Sequence, residues 1–428
     1  MTIQRIELMP GVWLTIVRTS KFKSSYWSLR LMTQLSSDTA AINALIPYVL
    51  RRGTARLSDL DTLSAELDSL YGGVVEPRVY KCGDMQSVGF DATFLDDAYL
   101  PEGEGVLEHI AQLLGDFLLH PATRNGRLHR TFVQSEKENL IQMIRSRAND
   151  KSAYARHRLV EELYSGHKYG LSRLGTEAQV KKIQPPKLFA RYQELLGTAG
   201  IELFYCGSAP EKRVEFAFLE ALMDLPRNPE REIPHSDPRR TSTGKIQRFS
   251  EHKEVSQGRL EFGFQYGFGM NDPMYPAMMV CNALFGGMDG SKLYRVLREE
   301  QALCYHVESA LIPGKGLMVV SCGTDRAQFA AVKESVRQEL ISIQHGFFER
   351  AEFIAAKQSV MHSLHQMLDD QQLMSMAWQR AAACGEPFDP DRLMHQVEHV
   401  TEGDVIAAAT ELLLRGIYEL SGKEGSNA

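Results

Sequence analysis

Two groups of polar residues in this chain of 428 residues have types and spacing that could do chemistry. The first is the segment His395-Gln-Val-Glu-His399, in which two imidazoles lie four residues apart and a carboxylate, Glu398, stands between them. On a helix this spacing places both imidazoles on one face, where they could hold a zinc ion while the glutamate acts as general base. The plain alternative is an exposed helix end, because Thr401-Glu-Gly-Asp404 follows at once and has the pattern of a capping box.

The second group lies in the stretch from Leu284 to Tyr305. Gly286 and Gly287 indicate a turn, and Ser291 is a predicted N-cap for the helix that follows. Arg298 lies near the predicted end of that helix, and Tyr305 opens the next predicted strand. A guanidinium fork donates hydrogen bonds to peptide carbonyl oxygens, and a phenol donates or accepts one. The plain alternative is a surface arginine and a tyrosine packed in a sheet.

The elements that must position these residues occur in the same order twice. Each half begins with alternating strands, continues through amphipathic helices and closes with a helix and a strand. The closing units, Ile183–Gly207 and Val400–Gly422, are offset by about 220 residues, which indicates a duplicated domain. The sequence therefore predicts an α+β fold with two homologous halves, each an antiparallel sheet backed by helices. Residues 1–225 form the first half, 226–244 a linker rich in proline and charge, and 245–428 the second half.

Composition excludes several classes of protein. A formal net charge of −6 and a pI near 6.1 argue against a nucleic-acid binder. No apolar run is long enough to cross a membrane, and the first residues lack the apolar core of a signal peptide. The six cysteines are scattered singly, which favours reduced thiols in a cytoplasmic protein.

The stretch around Arg298 resembles the second-half signature of the insulinase-like (M16) metallopeptidases. That signature is a glycine-rich turn followed by S-x-L-aromatic-x-x-L-R-E-x-x-x-L-x-Y. The matching residues here are Gly286, Gly287, Ser291, Leu293, Tyr294, Leu297, Arg298, Glu299, Leu303 and Tyr305. The resemblance implies that Arg298 and Tyr305 bind the backbone of a peptide substrate, and that the two halves face each other as a clamshell around a chamber.

The zinc site of the family is not present at the matching positions. In the family, the first half carries H-x-x-E-H just before a Gly-Thr, and a second glutamate downstream completes the metal ligands. Here the segment is N-A-L-I-P-Y-V-L-R-R-G-T, with Ala44 and Tyr48 in place of the two histidines and Pro47 in place of the glutamate. Met143 stands in place of the last ligand. Pro47 is also expected to bend or break its helix.

The resemblance thus implies a zinc-less, non-catalytic subunit of a metalloendopeptidase complex, with no activity alone and no metal of its own. The expected partners are a zinc-bearing M16 paralogue and a peptide substrate. Within the family, the segment around Pro47 looks most like the bacterial zinc-less member associated with elongation factor P modification. Two alternatives stay open. One is an autonomous metallopeptidase that uses His395, Glu398 and His399, and the other is a purely structural scaffold with the same fold.

Overall fold

The computed structural model describes residues 1–102, 104–227, 235–236, 244–255 and 257–422. It divides into two compact units. Unit 1 comprises Met1–Arg145, Leu171–His235 and Gln371–Ala383, and unit 2 comprises Ser146–Gly170, Ser236–Asp370 and Cys384–Ala428. Most of the predicted linker, 226–244, lies outside the described residues.

The secondary structure consists of strands and helices in the mixed order that the sequence predicts. The strands are β1 (Thr2–Met9), β2 (Val12–Arg18), β3 (Ser24–Gln34), β4 (Val74–Cys82), β5 (Met85–Leu95), β6 (Thr123–Arg124), β7 (Arg127–Leu128), β8 (Gly200–Gly207), β9 (Gln247–His252), β10 (Gly258–Gln265), β11 (His306–Ile312), β12 (Leu317–Thr324) and β13 (Leu413–Ser421). The α-helices are α1 (Ala40–Leu50), α2 (Leu60–Ser69), α3 (Leu107–Leu119), α4 (Arg130–Ser146), α5 (Lys151–Leu163), α6 (Glu177–Lys182), α7 (Pro185–Thr198), α8 (Glu211–Ala221), α9 (Tyr275–Asn282), α10 (Phe329–Gln344), α11 (Arg350–Met367), α12 (Gln371–Ala383), α13 (Pro390–Glu398) and α14 (Glu402–Thr410). Two further segments, Ala283–Gly287 and Tyr294–Glu300, are π-helical.

Each unit contains one large sheet backed by helices, which confirms the predicted fold class. The sheet of unit 1 has six strands in the order β1-β2-β8-β3-β5-β4, and the sheet of unit 2 has five in the order β11-β12-β10-β13-β9. Read from the other end, the second order matches the first without β1: β9 takes the place of β2, β13 of β8, β10 of β3, β12 of β5 and β11 of β4. Such matching orders are the expected result of duplication.

The sheets are not purely antiparallel, because each contains one parallel pair. β2 pairs with β8 in parallel, and β9 pairs with β13 in parallel. In each unit the last strand lies between two strands that run in opposite directions: β8 lies between β2 and β3, and β13 lies between β9 and β10. It must therefore be parallel to one of them and antiparallel to the other.

Two helices pack in units that do not follow their place in the chain. α5 lies in the first half of the chain but packs in unit 2, and α12 lies in the second half but packs in unit 1. Leu163 on α5 lies so close over β10 that a Cβ on Gly263 would be 2.5 Å from its Cδ1 atom. Trp378 on α12 packs against Phe204 of β8, with ring centroids 6.0 Å apart. Both units are thus built from discontinuous parts of the chain.

The helix that carries Pro47 continues past it, so the expected break is absent, and a bend there stays a prediction. α1 runs without interruption from Ala40 to Leu50 with Pro47 inside it, and the N–H of Arg51 still donates to the Pro47 carbonyl oxygen at 3.0 Å. An internal proline costs about 3 kcal/mol in helix stability. Every residue of α1 except Tyr48 is buried, and this packing outweighs that cost. No helix in the described ranges has the length and apolar character needed to cross a membrane.

Candidate functional site

The four positions predicted to correspond to the family's zinc site lie on two helices of unit 1. Ala44 and Pro47 are buried in α1, Tyr48 is half-buried, and Met143 on α4 is 37% exposed. A methyl group and a proline ring have no donor atom for a metal. A phenol and a thioether are not the imidazole and carboxylate ligands that zinc requires. The residues present therefore do not fit a zinc ion of the family's type.

The electrostatics around Tyr48 also disfavour a bound cation. Burial raises the pKa of the Tyr48 phenol, although the nearby Arg173 and Arg78 act in the opposite direction. The phenol therefore stays protonated near neutral pH and offers no anionic oxygen. Two guanidinium groups close enough to act on this phenol would repel a divalent cation.

The second candidate metal site, around His395, consists of an exposed helix end. His399 follows the last turn of α13, and its Nδ1 atom donates to the His395 carbonyl oxygen at 2.8 Å. Lys357 donates to the carbonyl oxygens of Glu398 and Val400, at 2.7 and 3.0 Å, which fixes the same helix end. Within the described ranges, no group of three or more His, Cys, Asp and Glu residues is arranged to hold a metal ion. Two histidines without a third ligand do not form a closed zinc site.

Arg298 and Tyr305 lie at the two ends of one tight turn in unit 2. Arg298 is in the π-helical segment Tyr294–Glu300, and Tyr305 directly precedes β11. The carbonyl oxygen of Leu297 accepts from the N–H groups of Leu303 and Cys304, at 2.8 and 3.0 Å. These bonds bring the residues that precede Arg298 and Tyr305 into direct contact, so the two candidate side chains start from neighbouring points of the backbone.

The turn between them is strained. Ala302 has a φ of 49°, one of three positive values among non-glycine residues in the described chain. A residue with a Cβ pays about 1–2 kcal/mol to adopt this left-handed conformation. Backbone strain of this kind is concentrated at binding and catalytic sites, where the surrounding structure holds it.

Both candidate side chains are accessible to solvent. Arg298 is exposed, and its guanidinium carbon lies 5.0 Å from the centroid of the Tyr294 ring. Tyr305 is 59% exposed and donates its hydroxyl to Asp325 Oδ2 at 3.2 Å, and this carboxylate raises the pKa of the phenol. Tyr305 is therefore not the packed strand residue of the plain alternative. Arg298 has no carboxylate partner among the residues that the structure describes.

Sequence reasoning misassigned or missed three residues of this site. Ser291, the predicted helix cap, is 1% exposed, and its hydroxyl has no hydrogen-bond partner within the described chain. Asp325 was missed because it is 20 residues from Tyr305 and meets it only through the pairing of β11 with β12. The left-handed backbone of Ala302 was missed because alanine carries no local signal for it.

Comparisons with known proteins bear on the fold and on the family resemblance. Residues 182–360 match the family model of the Peptidase M16 inactive domain. A probable inactive metalloprotease of Bacillus subtilis strain 168, YmfF, is 27% identical over 418 residues, which cover 97% of each chain.

Solved structures agree on the fold. A conserved protein from Enterococcus faecalis V583 superposes with a TM-score of 0.87 at 23% identity, covering 99% of this chain and 100% of the other. A peptidase M16 inactive domain from Pseudomonas fluorescens superposes with a TM-score of 0.78 at 17% identity, covering 100% of both chains. This chain therefore has the fold of the M16-like peptidases, and its residues 182–360 match the inactive domain of that family.

Proposed function

We propose that this protein is a non-catalytic, substrate-binding subunit of an M16-type zinc peptidase, paired with a zinc-bearing paralogue in the cytoplasm. One contrast supports the proposal. The four positions of the zinc site carry no suitable ligand, whereas Arg298 and Tyr305 stand exposed at a strained turn. A chain that has lost metal chemistry but keeps accessible donors is suited to holding a substrate for another subunit.

Arg298 and Tyr305 would act on the backbone of a bound peptide. The guanidinium can donate two parallel hydrogen bonds, and the Tyr305 hydroxyl, which donates to Asp325 in the free chain, can donate to a peptide when it turns away from that carboxylate. If these donors point at the carbonyl nearest the partner's zinc, they stabilise the developing oxyanion more than the bound substrate. The loss of one such donor costs about a hundredfold to a thousandfold in turnover at comparable oxyanion sites.

Experiments can distinguish this function from two others, a structural scaffold and an autonomous peptidase. A scaffold would need no contact between peptide and Arg298, so changes there would leave all activity unaltered. An autonomous peptidase that uses His395 and His399 would need zinc in the isolated chain. The association with elongation factor P modification stays a prediction that rests on the segment around Pro47 alone.

The first experiment measures zinc by mass spectrometry and peptide cleavage on the isolated chain. We expect neither stoichiometric zinc nor cleavage. One zinc per chain that disappears in His395→Ala would reject the proposal and favour the autonomous peptidase.

Light scattering of mixtures with zinc-bearing M16 paralogues tests pairing, and we expect a stable heteromer with an interface above about 1,000 Å².

The second experiment measures steady-state kinetics of the reconstituted complex. Arg298→Ala and Tyr305→Phe should lower kcat while assembly and Tm stay close to wild type. Arg298→Lys should rescue poorly, because a single ammonium cannot reproduce the planar fork. Arg337→Ala is the matched control, since Arg337 is another exposed arginine of unit 2 and, among the described residues, pairs with Glu334 on its own helix and no other carboxylate. Wild-type turnover in both site variants would end the proposal and leave the scaffold.

A further inference from the structure

Tyr48 of α1 lies beside β4, the strand at one edge of the unit 1 sheet. Arg51 ends the same helix one turn later and on the same face, and its Nε atom donates to the Val75 carbonyl oxygen at 2.7 Å. Further along β4, Arg173 Nε donates to the Val79 carbonyl oxygen at 3.0 Å. Of the cations around the Tyr48 phenol, Arg173 acts on it most strongly. Tyr48 and Arg173 therefore lie close together at this edge.

Arg173 is a half-buried cation that has no carboxylate partner among the described residues. Burial lowers the pKa of its guanidinium, and the titratable side chains that act on its charge are two phenols, those of Tyr48 and Tyr80. A charge that is removed from water is normally matched by an opposite charge, because its desolvation is costly. The Nη1 and Nη2 atoms of Arg173 make no hydrogen bond within the described chain. Two donors and one positive charge are thus available to an anion.

The other cations that act on the phenol of α1 are already paired, which limits the charge of the anion. Arg78 bonds to Glu76, and its Nε atom lies 3.4 Å from Asp91 Oδ2. Arg30 bonds to the same Asp91. Arg173 is the unmatched member of this group, so a singly charged anion balances it. A carboxylate has that charge, and its two oxygens match the spacing of the two donors of a guanidinium fork.

Tyr48 supplies a third donor. Burial raises the pKa of its phenol, so the hydroxyl keeps its proton near neutral pH. This hydroxyl makes no hydrogen bond in the described part of the chain. Glu136, a carboxylate that also acts on the phenol, pairs instead with Arg52 at 3.3 Å. The Tyr48 hydroxyl is therefore free to donate to a bound carboxylate.

Buried amides hold Arg173 in place. Gln86 Nε2 donates to the carbonyl oxygens of Arg173 and Ala40, at 2.6 and 2.9 Å, and Asn43 Nδ2 donates to Gln86 Oε1 at 3.0 Å. Gln86 and Asn43 are both 0% exposed. Donors whose positions are already fixed lose little freedom when a ligand binds, so this arrangement favours binding.

We propose that Arg173 and Tyr48 form a carboxylate-binding site on unit 1, in the region that the resemblance assigns to the family's zinc site. The carboxylate accepts two parallel hydrogen bonds from the Arg173 guanidinium and one from the Tyr48 hydroxyl. Two sources carry this chemistry, the C-terminus of a peptide and a free organic acid. The site involves neither Arg298 nor Tyr305, so it goes beyond the proposed function and holds or fails independently of it.

Isothermal titration calorimetry of the full chain tests the site. The probe is the acetylated tetrapeptide Gly-Val-Thr-Ala with a free C-terminal carboxylate, and the comparison is the same peptide as its amide. We expect the acid to bind at least tenfold more tightly, because hydrogen bonds to a charged acceptor are about twice as strong as neutral ones. This preference should shrink as the salt concentration rises. Equal binding of acid and amide, or no binding of either at millimolar concentration, would overturn the proposal.

Propionate in the same titration separates the two sources of the carboxylate. If propionate binds as tightly as the peptide acid, the ligand of the site is a free organic acid. If it binds at least tenfold more weakly, the ligand is the C-terminus of a peptide, because the rest of the peptide then contributes to affinity.

Three variants locate the binding. Arg173→Gln should abolish the preference for the acid, and Tyr48→Phe should reduce it severalfold. Arg51→Gln is the matched control, since it also removes a bond from an arginine Nε atom to a β4 carbonyl oxygen but leaves both proposed donors in place. It should keep the wild-type preference. Thermal melts of the same samples show whether each variant is folded, and Tyr48→Phe decides alone if Arg173→Gln is not.

Two results would count against the site. A full preference for the acid in Arg173→Gln and Tyr48→Phe would show that the carboxylate binds elsewhere. An equal loss of preference in Arg51→Gln and Arg173→Gln would show a general effect of charge and not a site.

Discussion

The two sheets place different chemistry at equivalent positions of their central strands. We align the two units by setting Trp27 of β3, which pairs with Ala92 and Tyr205, against Leu260 of β10, which pairs with Cys322 and Glu419. In that correspondence Arg30 matches Gly263, Asp91 matches Ser321, and Ser28 matches Glu261.

At these positions unit 1 buries the ion pair of Arg30 and Asp91. Unit 2 instead buries the carboxyl group of Glu261 and has a glycine, Gly263, against which α5 packs. Arg30 is fully buried and bonds to Asp91, and α12 contributes Gln379, whose amide donates to Ser28 Oγ at 2.6 Å. In unit 2, Glu261 accepts from Ser321 Oγ at 2.6 Å, and Gly263 gives α5 its close approach. The same backbone frame therefore supports two different polar interiors, and each can be tested separately.

The largest effect is expected from Asp91→Ala. This change leaves the Arg30 guanidinium buried without its anion, and a broken buried pair costs about 3–5 kcal/mol in the free energy of unfolding. Urea denaturation monitored by circular dichroism measures it. The double variant Arg30→Met with Asp91→Leu should recover most of the loss, because a matched apolar pair removes both charges. A loss below about 1 kcal/mol in Asp91→Ala would show that the pair is not a main support of unit 1.

A pH dependence is expected next, from Glu261. Burial raises the pKa of this carboxyl to about 8, from 4.5 in the unfolded chain. The folded state therefore keeps a proton that the unfolded state loses, so stability is full below pH 4.5 and falls as the pH rises from there through 8. The loss should be about 3–5 kcal/mol in all.

The Glu261→Gln variant is the control for this pH effect, because its amide does not titrate. Thermal melts between pH 5 and 9 should show a declining Tm in wild type and a flatter profile in the variant. The window begins at pH 5 because Glu251, whose pKa is lowered to about 2, contributes stability that is lost only as the pH falls below 4.5. Parallel profiles would contradict the assignment.

A smaller effect is expected from Gly263→Ala. The added methyl would meet Leu163 Cδ1 at 2.5 Å, and overpacking of this kind costs about 1–3 kcal/mol. Leu163→Ala in the same chain should restore part of the loss, which would show that α5 packs on β10. Gly403→Ala is the matched control, since its Cβ would meet nothing closer than 3.7 Å and should be neutral or slightly stabilising.

The smallest effect is expected from Ala302→Gly at the turn between Arg298 and Tyr305. Glycine adopts the φ of 49° without strain, so the change should stabilise unit 2 by about 0.5–1 kcal/mol. Peptide binding should weaken, because a more flexible turn holds the two donors less firmly. The control Ala355→Gly, on the exposed face of α11, should destabilise by about 1 kcal/mol. Destabilisation in both variants would show that the turn is not strained.

The sequence by itself was enough for features that depend on residue type. The side chains of Ala44 and Pro47 lack donor atoms in any fold, so the prediction that these positions bind no zinc needed no coordinates. Strand alternation and helical periodicity were enough for most elements and for the repeat, because both patterns are local. Residues 128–164 have one continuous helical pattern in the sequence, whereas the structure ends α4 at Ser146 and begins α5 at Lys151, where Asp150 caps the new helix and accepts from the N–H of Ala153.

Only the tertiary structure decided what depends on distant contacts. Which sheet α5 or α12 covers is set by burial against β10 or β3, and no local propensity encodes that choice. The partner of Tyr305, Asp325, and the left-handed backbone of Ala302 likewise depend on the surrounding structure. The clearest case is β4, whose strand pattern is that of an ordinary edge. Arg51 donates to the carbonyl oxygen of Val75, and Arg173 donates to that of Val79. Arg51 lies 24 residues before Val75 in the chain and Arg173 lies 94 residues after Val79, so only folding brings these groups together.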